Sequence, residues 1–376
     1  MVDAGPNTAA ASLKPVSYEA LANWVHDDHF LALDAFRKSA EAFAKARLNF
    51  AKHPTFAGQS GDWSEIFADS LHPDAGLNPR GFFEKNFIPV EIIDTHRPDG
   101  LFTGYFEPLV KGSRNHSNDF PVPVLGKPDD LRTFDETETA KAGCNYGRQT
   151  AEGPCAYPTR KEIEQGCLAG RNLEICWLSD WVDGFFMHVQ GSGRVQLDDG
   201  TTMRLSYAAK SGQPYVAIGG VLVQRGVLTR DTMSMQSLKA WMKSNPNEAR
   251  ELMWQNPSYI FFRETGAAPE NRGSIGAGKV HLTPHRSIAI DASHYLYGTP
   301  LWLETATPAE SPGSAQPFHH LMIAQDTGSA IQGLVRGDVY WGWGEEAAII
   351  AGHMKSSGKM TALLPRAVVE RLGLMT

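Results

Sequence analysis

Short strand-like segments occur near both ends of this chain and are separated by a long middle that mixes helical and strand patterns. The early segments, FIPVEIID and LFTGYFEP, lie between residues 82 and 108. The later ones, among them KVHLTP, TPLWLET and HLMIAQD, follow residue 278, and both groups have the apolar runs and alternation that predict strands. A single domain boundary does not explain this distribution. The sequence therefore predicts one β-barrel domain that is interrupted by an inserted domain.

Changes in composition set the predicted boundaries. A long segment after Lys111 is rich in Pro, Gly, Asn and Asp, and residues 266–278 thin to Gly, Ala, Pro, Glu and Asn, which is typical of a linker. We assign residues 1–108 and 266–376 to the barrel domain, together with N-terminal helices. Residues 109–265 form the predicted inserted domain.

The charge balance limits the classes of partner. The 376 residues include 35 Lys plus Arg and 42 Asp plus Glu, which gives a formal net charge of −7. Nucleic-acid-binding proteins present a basic footprint to phosphates, so the sequence argues against a nucleic-acid partner. No apolar run approaches the roughly 18 residues that predict a membrane helix. The opening MVDAGPNTAAASLKP has neither the charged nor the apolar region of a secretion signal.

The cysteines are confined to one window of the middle segment, at Cys144, Cys155, Cys167 and Cys176. They contain no C-x-x-C pair, which argues against a zinc site. Two interpretations stay open. The four residues form two disulfides in an oxidising compartment, in one of the three pairings that four cysteines allow, or they are unpaired buried thiols.

The stretch Leu321–Gly352 combines two acids with glycine turns and aromatic residues. Asp326 follows the apolar run LMIA, and Asp338 follows a second short strand. Beside them lies an aromatic loop that includes Trp341. This combination is typical of a sugar-cleaving site, because a carboxyl group protonates the glycosidic oxygen and aromatic faces stack on sugar rings. The alternative is that the acids cap turns and the tryptophans fill a core.

Other residues are candidates for contacts with a substrate. Thr103 and Tyr105 lie on the strand predicted around TGYFEP, and Gln190, Gly191 and Ser192 lie in a predicted glycine turn. The Gln and Ser side chains offer hydrogen bonds, and a glycine permits close approach of the backbone. The alternative for the glycine is a tight turn or bulge, and for Tyr105 it is core packing.

Asp291 and Glu107 have two interpretations each, whereas Glu345 and Glu346 are interpreted as helix-capping residues. Asp291 follows the predicted strand SIAI and either binds substrate or holds a turn. Glu107 precedes a proline and is either a second acid or a turn residue. Glu345 and Glu346 open a predicted helix, where negative charge favours the N-terminus. His319, His320 and His353 have no ligand partner at metal spacing, so the sequence predicts no metal and no cofactor.

Motifs in a fixed order along the chain resemble those of the membrane-bound lytic murein transglycosylase A family. They run from about Phe82 to Arg366, in the order TGYFEP, HVQGSG, SYAAKSGQPYVAIGGVLV, MSMQSL, NPSYIFF, DTGSAIQG and RGDVYWGWGEEA. The last third also resembles the three-aspartate domain, whose acids correspond to Asp291, Asp326 and Asp338.

The resemblance implies a mainly β fold with peripheral helices. It implies a double-psi β-barrel built from both chain ends, an inserted smaller β/α domain and a groove between them. The implied reaction cleaves the β-1,4 bond between N-acetylmuramic acid and N-acetylglucosamine in peptidoglycan without water and leaves a 1,6-anhydromuramic end. The catalytic acid of the family corresponds to Asp338, and Asp326 stands close by.

The resemblance also implies a location and partners. It implies a periplasmic monomer that acts on peptidoglycan glycan strands, with cell-wall synthesis or division proteins as further partners. Outer-membrane association is an open alternative, but the N-terminal cysteine of the family's lipoproteins is absent from this sequence. The chain departs from the common motifs at Ser329 and Gln332, and Arg336-Gly337 replaces the His-Phe pair that often precedes the catalytic aspartate. Both carboxylates are retained.

One aspartate can serve twice if the C6 hydroxyl of the muramic residue is the nucleophile. Asp338 would protonate the glycosidic oxygen and then accept the proton of that hydroxyl. This requires a protonated Asp338, which burial or the charge of Asp326 would favour. On the same barrel, an endoglucanase-like hydrolase would leave reducing ends, and an expansin-like module would bind wall polysaccharide without cutting it.

Overall fold

The computed structural model describes residues 11–45, 54–56, 58–59, 61–266, 272–308 and 315–375. Residues 1–10, where the absence of a secretion signal was predicted, and residues 267–271 of the predicted linker lie outside the described residues. The strands in the described ranges are β1 (Ala11–Pro15), β2 (Phe87–Asp94), β3 (Leu101–Glu107), β4 (Leu109–Ser113), β5 (Val122–Leu125), β6 (Arg132–Thr133), β7 (Tyr146–Thr150), β8 (Gly153–Cys155), β9 (Glu174–Leu178), β10 (Ser192–Leu197), β11 (Thr202–Lys210), β12 (Ile260–Thr265), β13 (Ser287–Ile290), β14 (Pro300–Thr307), β15 (Gln316–Asp326), β16 (Arg336–Trp343), β17 (Lys355–Ser356) and β18 (Lys359–Pro365). The α-helices are α1 (His29–Ala44), α2 (Gly61–Leu71), α3 (Pro79–Asn86), α4 (Glu136–Ala142), α5 (Arg160–Glu164), α6 (Trp181–Gln190), α7 (Ile218–Gln224), α8 (Met235–Ser244), α9 (Pro246–Trp254), α10 (Gly344–His353) and α11 (Arg366–Arg371).

The chain divides into two compact units. The first unit consists of Met1–Phe106, Asn271–Gly342 and Glu346–Thr376, and the second consists of Glu107–Glu270 and Trp343–Glu345. Each unit has a sheet of mixed strand direction with helices packed on it. This agrees with the predicted mainly β class with peripheral helices.

The sheet of the first unit joins strands from distant parts of the chain. Within the described residues its order is β1-β2-β18-β14-β15-β13-β16-β3-β17. Strand β2 pairs antiparallel with β18, so that Ile92 lies opposite Met360. Strand β13 runs parallel to β15 and antiparallel to β16. The N-terminal strands β2 and β3 are therefore built into a sheet that is otherwise made largely of C-terminal strands.

The N-terminal helices bury their apolar faces on this sheet. Helix α1 begins after Asp28, whose side chain accepts hydrogen bonds from two backbone N–H groups of the first turn. Its buried Leu33 and Phe36 belong to one apolar cluster with Trp302 and Leu321 of the sheet. Complete burial of one such side chain contributes roughly 1.5–3 kcal/mol. The apolar face of α1 therefore packs the helix against the sheet.

A buried ion pair also ties the start of α1 to the sheet. The side chain of Asp27 is 0% exposed and accepts two hydrogen bonds from the guanidinium of Arg286, both at 2.8 Å. The same carboxylate accepts the backbone N–H of Leu321 at 2.9 Å and contacts Nδ1 of His320 at 2.7 Å. Every oxygen of this buried carboxylate is therefore paired.

The second unit has a six-stranded sheet within the described residues, in the order β12-β11-β10-β4-β9-β5. Strands β10 and β11 form an antiparallel hairpin, and its turn is the sequence DDGT at residues 198–201. The pattern of residues 181–212 predicts alternating strands and glycine turns, and for residues 181–190 this prediction is wrong. The segment forms α6, because Asp180 caps its first turn and Val182, Phe185 and Phe186 are buried on one face.

The four cysteines are unpaired, as in the second interpretation, but only one of them is buried, so that interpretation is wrong about their burial. All four cysteines lie in the described part of the chain, and none of them is bonded to another. Cys176 is buried in the sheet of the second unit, whereas Cys167 is exposed beyond α5. Among the described helices, none has the length and apolar character that crossing a membrane requires.

Candidate active site

The two predicted catalytic acids lie on either side of one short strand. Ala289 of β13 is in register with Asp326 at the end of β15 and with Asp338 on β16. Neighbouring strands are about 4.8 Å apart, so the two acid Cα atoms are separated by about 10 Å. The sheet therefore brings these two acids together, although glycine turns separate them in sequence.

Asp326 is surrounded by hydrogen-bond donors. Its Oδ1 accepts the backbone N–H groups of Ala277 and Thr327, both at 2.9 Å, and its Oδ2 accepts the hydroxyl of Tyr105 at 2.9 Å. Three donors on one carboxyl group favour its ionised form. Ala277 belongs to the predicted linker, so part of that segment contributes to the site.

Asp338 has a different environment. Its Oδ1 accepts the hydroxyl of Thr103 on β3 at 2.5 Å. Its Oδ2 accepts no hydrogen bond from the described residues, and it is not among their buried unpaired polar atoms. This oxygen is therefore the one that solvent reaches. One oxygen of the carboxyl group is fixed, and the other is open for chemistry.

Burial raises the pKa of both acids. For Asp326, the hydrogen bonds from Ala277, Thr327 and Tyr105 oppose this rise without cancelling it. For Asp338, burial is opposed by Arg336 and by the Thr103 hydrogen bond, and the charge of Asp326 raises the pKa further. Asp326 has three hydrogen-bond donors, whereas Asp338 has one donor and lies near the charge of Arg336, so the two carboxyl groups have unlike environments. Two carboxyl groups with unlike environments are typical of an acid catalyst and its charged neighbour.

Arg336 is a site residue whose contribution the sequence analysis missed. Its Nη2 donates to the Thr103 hydroxyl at 2.8 Å, and its Nη1 donates to the carbonyl of Gly337 at 2.5 Å. Arg336 and Asp338 are two residues apart on one strand, so their side chains share a face of the sheet. This two-residue spacing from Asp338 is the sequence signal from which a place for Arg336 in the site could be predicted.

Tyr105 is a buried part of the site. It is 7% exposed, its ring packs on Tyr340 at 5.2 Å, and its hydroxyl donates to Asp326. Burial and the nearby charges of Asp326 and Asp338 raise its pKa well above the usual range. It therefore remains a neutral donor. These contacts favour the packing alternative for Tyr105, and direct substrate contact stays a prediction.

Trp341 does not join the acids. It is 6% exposed, and its ring packs against Phe318 and His285. It lies three residues after Asp338 on the same strand, and an odd spacing directs the two side chains to opposite faces. These contacts favour the alternative that Trp341 fills a core, and stacking of Trp341 on a sugar stays a prediction.

Gly104 allows Trp341 to lie against β3. A Cβ atom at Gly104 would be 2.6 Å from Nε1 of Trp341 and 2.8 Å from the backbone Cα of Ala351. Overpacking of this kind costs typically about 1–3 kcal/mol. We expect Gly104→Ala to lower the free energy of unfolding by this amount, as measured by urea denaturation.

Gly61→Ala is the matched control, because a Cβ at Gly61 would have no neighbour within 4 Å. We expect its unfolding midpoint to stay within error of that of the parent chain. An equal change in the two variants would show that the contact with Trp341 is unimportant.

The predicted Gln190 to Ser192 turn lies in the second unit. Gln190 is the last residue of α6, and Gly191 caps the helix with a φ of 74°, a left-handed conformation that favours glycine. Ser192 is buried at the start of β10. The cap accounts for the glycine, and binding of substrate by these three residues stays a prediction.

Glu107 is buried in the same unit and pairs with Arg194 at 3.1 Å and with Arg204 at 3.5 Å, so it does not act as a turn residue.

Asp291 has the contacts of a turn residue. Its Oδ1 accepts the backbone N–H and the hydroxyl of Ser293, and its Oδ2 accepts the N–H of Gly333 at 2.9 Å. Burial opposes its charge, but these hydrogen bonds and nearby His294 outweigh that effect and lower its pKa. These contacts favour the turn interpretation. Asp291 also lines a pocket with Thr327, so its role in binding stays a prediction.

Within the described ranges, no group of three or more His, Cys, Asp or Glu side chains is arranged to hold a metal ion. Glu345 and Glu346 lie in the first turn of α10, as the helix interpretation predicts.

Comparison with known proteins identifies two regions of the chain. Residues 101–263 match the family model described as the MltA specific insert domain, and residues 286–364 match the 3D domain. The membrane-bound lytic murein transglycosylase A of Vibrio cholerae is 37% identical over 266 residues. That match covers 70% of this chain and 65% of the relative, so it spans slightly less than two thirds of the relative's length.

Solved structures cover more of the chain. The crystal structure of a membrane-bound lytic murein transglycosylase from Agrobacterium tumefaciens has a TM-score of 0.85 and 32% identity, and the match covers 96% of this chain and 99% of that one. Escherichia coli MltA with bound chitohexaose has a TM-score of 0.63 and 28% identity, with 87% and 89% coverage. The chain therefore belongs to the membrane-bound lytic murein transglycosylase A family.

Proposed function

We propose that this chain is a lytic transglycosylase of peptidoglycan. It cleaves the β-1,4 bond between N-acetylmuramic acid and N-acetylglucosamine without water and forms 1,6-anhydromuramic ends. The observation that carries the proposal is the environment of Asp338, in which Thr103 holds one oxygen, solvent reaches the other and Asp326 lies nearby. Family membership and the chitohexaose bound by a relative support a glycan substrate.

In the first step Asp338 acts as a general acid. Its proton passes from Oδ2 to the glycosidic oxygen, the bond from that oxygen to C1 of the muramic residue breaks, and N-acetylglucosamine leaves with a free hydroxyl. Positive charge develops on the muramic ring, as in other glycosidic cleavages. The ionised carboxylate of Asp326 stabilises this charge electrostatically.

In the second step Asp338 acts as a base. The oxygen of the C6 hydroxyl attacks C1 and closes the 1,6-anhydro ring, and its proton passes to Asp338. The carboxyl group returns to its starting state, so a single acid completes the cycle. No water is consumed, because the nucleophile and the electrophile belong to one sugar.

We also propose the finer features that the family implies. The first unit is a double-psi β-barrel, and support comes from its parallel β13–β15 pair and from the contact of the edge strand β17 with β14. The protein works as a periplasmic monomer on glycan strands, and wall-synthesis or division proteins are its further partners. Among the residues predicted to bind substrate, Thr103 has the strongest support from the geometry, because its hydroxyl donates a hydrogen bond to Asp338.

The products of a peptidoglycan digest test this function. We expect purified protein to release muropeptides that end in 1,6-anhydromuramic acid, each lighter by one water than the hydrolytic product in mass spectrometry. A matched digest with a muramidase provides the hydrolytic standard. Reducing ends instead of anhydro ends would favour the endoglucanase-like hydrolase. Binding to the wall without soluble product would favour the expansin-like module and contradict the proposal.

A further inference from the structure

Arg336 holds a fixed position beside the proposed acid. Its guanidinium donates to the carbonyls of Leu101 and Gly337 and to the hydroxyl of Thr103, so it spans β3 and β16. Among the described residues no carboxylate lies within 4 Å of its nitrogen atoms. A half-buried arginine without an ion-pair partner in contact leaves its charge available to the site around it.

The chemistry of arginine sets the direction of the hydrogen bonds. A guanidinium has only donors, whereas a hydroxyl has one proton and two lone pairs. At the 2.8 Å contact, Thr103 therefore accepts from Arg336. Its own proton is directed to the 2.5 Å contact with Oδ1 of Asp338. The chain of donors runs in one direction, from Arg336 through Thr103 to Asp338.

This direction decides which oxygen of Asp338 carries the acidic proton. An oxygen that accepts the Thr103 proton does not donate its own proton along the same line. The proton of the neutral acid therefore resides on Oδ2, the oxygen that solvent reaches. Without Arg336, the Thr103 hydroxyl could rotate and accept a proton from Oδ1, which would place that proton away from the glycosidic oxygen.

We propose that Arg336 is a positioning residue, which fixes the Thr103 hydroxyl as a donor to Oδ1 of Asp338 and so keeps the acidic proton on Oδ2. The inference rests on the proposed function of Asp338 and adds a residue to it. Other titratable groups close to the acid are Asp326 at the end of β15, across β13, Tyr105 on the adjacent strand β3, and Tyr340 two residues further along β16 itself. Arg336 is the cation that the described residues place against Asp338.

Variants of Arg336 separate its geometry from its charge. We expect Arg336→Gln to lower kcat by about 10–100-fold, because small misplacements of catalytic groups have effects of this size. Its pH profile should also move upward at the alkaline limb, since a charge that favours the carboxylate is lost. Arg336→Lys should keep that limb near the parent position but not restore kcat, because an ammonium lacks the fixed fork of a guanidinium.

A double-mutant cycle tests whether Arg336 acts through Thr103. In the Thr103→Val background, Arg336→Gln should cause little further loss of kcat, because the hydroxyl that it orients is gone. The matched control is Arg97→Gln, at an exposed position, which should leave kcat and the pH profile unchanged. Parent kcat in Arg336→Gln, or an equal loss in both backgrounds, would overturn the inference.

A measurement without turnover distinguishes this inference from the proposed function. The Asp338 carboxyl is titrated by ¹³C NMR in the parent chain and in Arg336→Gln, and Asp338→Asn identifies its signal. We expect the midpoint to rise in Arg336→Gln. An unchanged midpoint would refute the inference, even if the parent chain released no anhydro product and the proposed function had failed on its own.

Discussion

Asp338→Asn is expected to lower the rate of anhydromuropeptide release by about 10²–10⁴-fold, the range that a general acid or base contributes. The amide retains the size of the carboxyl group and still accepts the Thr103 hydroxyl through its oxygen. It has no acidic proton to give to the leaving oxygen and no anionic oxygen to receive the proton of the C6 hydroxyl. Both steps are therefore impaired while the fold is maintained. Initial rates on purified peptidoglycan, with circular dichroism as a check of folding, measure the effect.

Asp99→Asn is the matched control, because it makes the same chemical change at an exposed position. Its rate should equal that of the parent chain. A fully active Asp338→Asn variant would assign the acid elsewhere and would remove the basis of the proposed mechanism. Loss of folding in Asp338→Asn is expected to be minor, since a neutral side chain replaces a group whose pKa burial already raises.

Asp27→Asn is expected to destabilise the protein by about 3–5 kcal/mol. Removing one partner of a buried ion pair leaves the other charge without compensation, and Arg286 is 3% exposed. The new amide would also direct a donor toward Leu321 or His320, both of which now contact an acceptor. The shift of the unfolding midpoint in urea, followed by tryptophan fluorescence, measures the loss.

The control for this variant is Asp34→Asn, which changes the net charge equally. Asp34 pairs with Lys38 on the exposed side of α1 at 3.0 Å, and such surface pairs contribute at most about 1 kcal/mol. A loss in Asp27→Asn no larger than the control's would show that the buried pair is not important for stability.

The pH dependence of stability gives a second test of Asp27. Burial opposes its charge, but the hydrogen bonds from His320 and Arg286 outweigh burial and hold its pKa well below the usual range. A lowered pKa stabilises the folded state above the unfolded value, which is about 3.9 for aspartate, and this stabilisation is lost as the pH falls below it. Asp27→Asn should lack that part of the acid dependence.

Local patterns in the sequence were sufficient to predict several secondary-structure elements. The capping box of Thr159 and Glu162 predicts a helix that ends near Gly170, and α5 does begin there but ends earlier, at Glu164. The DDGT turn joins β10 and β11. The apolar run before Asp326 is a buried strand, and the two acids meet across β13. These features depend on a few neighbouring residues, which a single sequence displays.

Other features depend on contacts between distant residues. Thr103 and Asp338 are 235 positions apart, and Asp27 and Arg286 are 259 apart, so nothing local announces either pair. The side of the sheet on which Trp341 lies could have been predicted from the sequence, because strand alternation counted from Asp338 places Trp341 on the opposite face from the acid. Helix α6 was missed because its glycine cap resembles a turn between strands.

The position of β3 in its sheet has a consequence for synthesis of the protein. The strand leaves the ribosome early, yet its neighbours β16 and β17 are translated much later, after residues 107–270 of the second unit. A nascent chain therefore holds Thr103 without the acid that it contacts, and contacts of such long sequence separation form late. The contact between Thr103 and Asp338 can therefore form only after β16 has been translated.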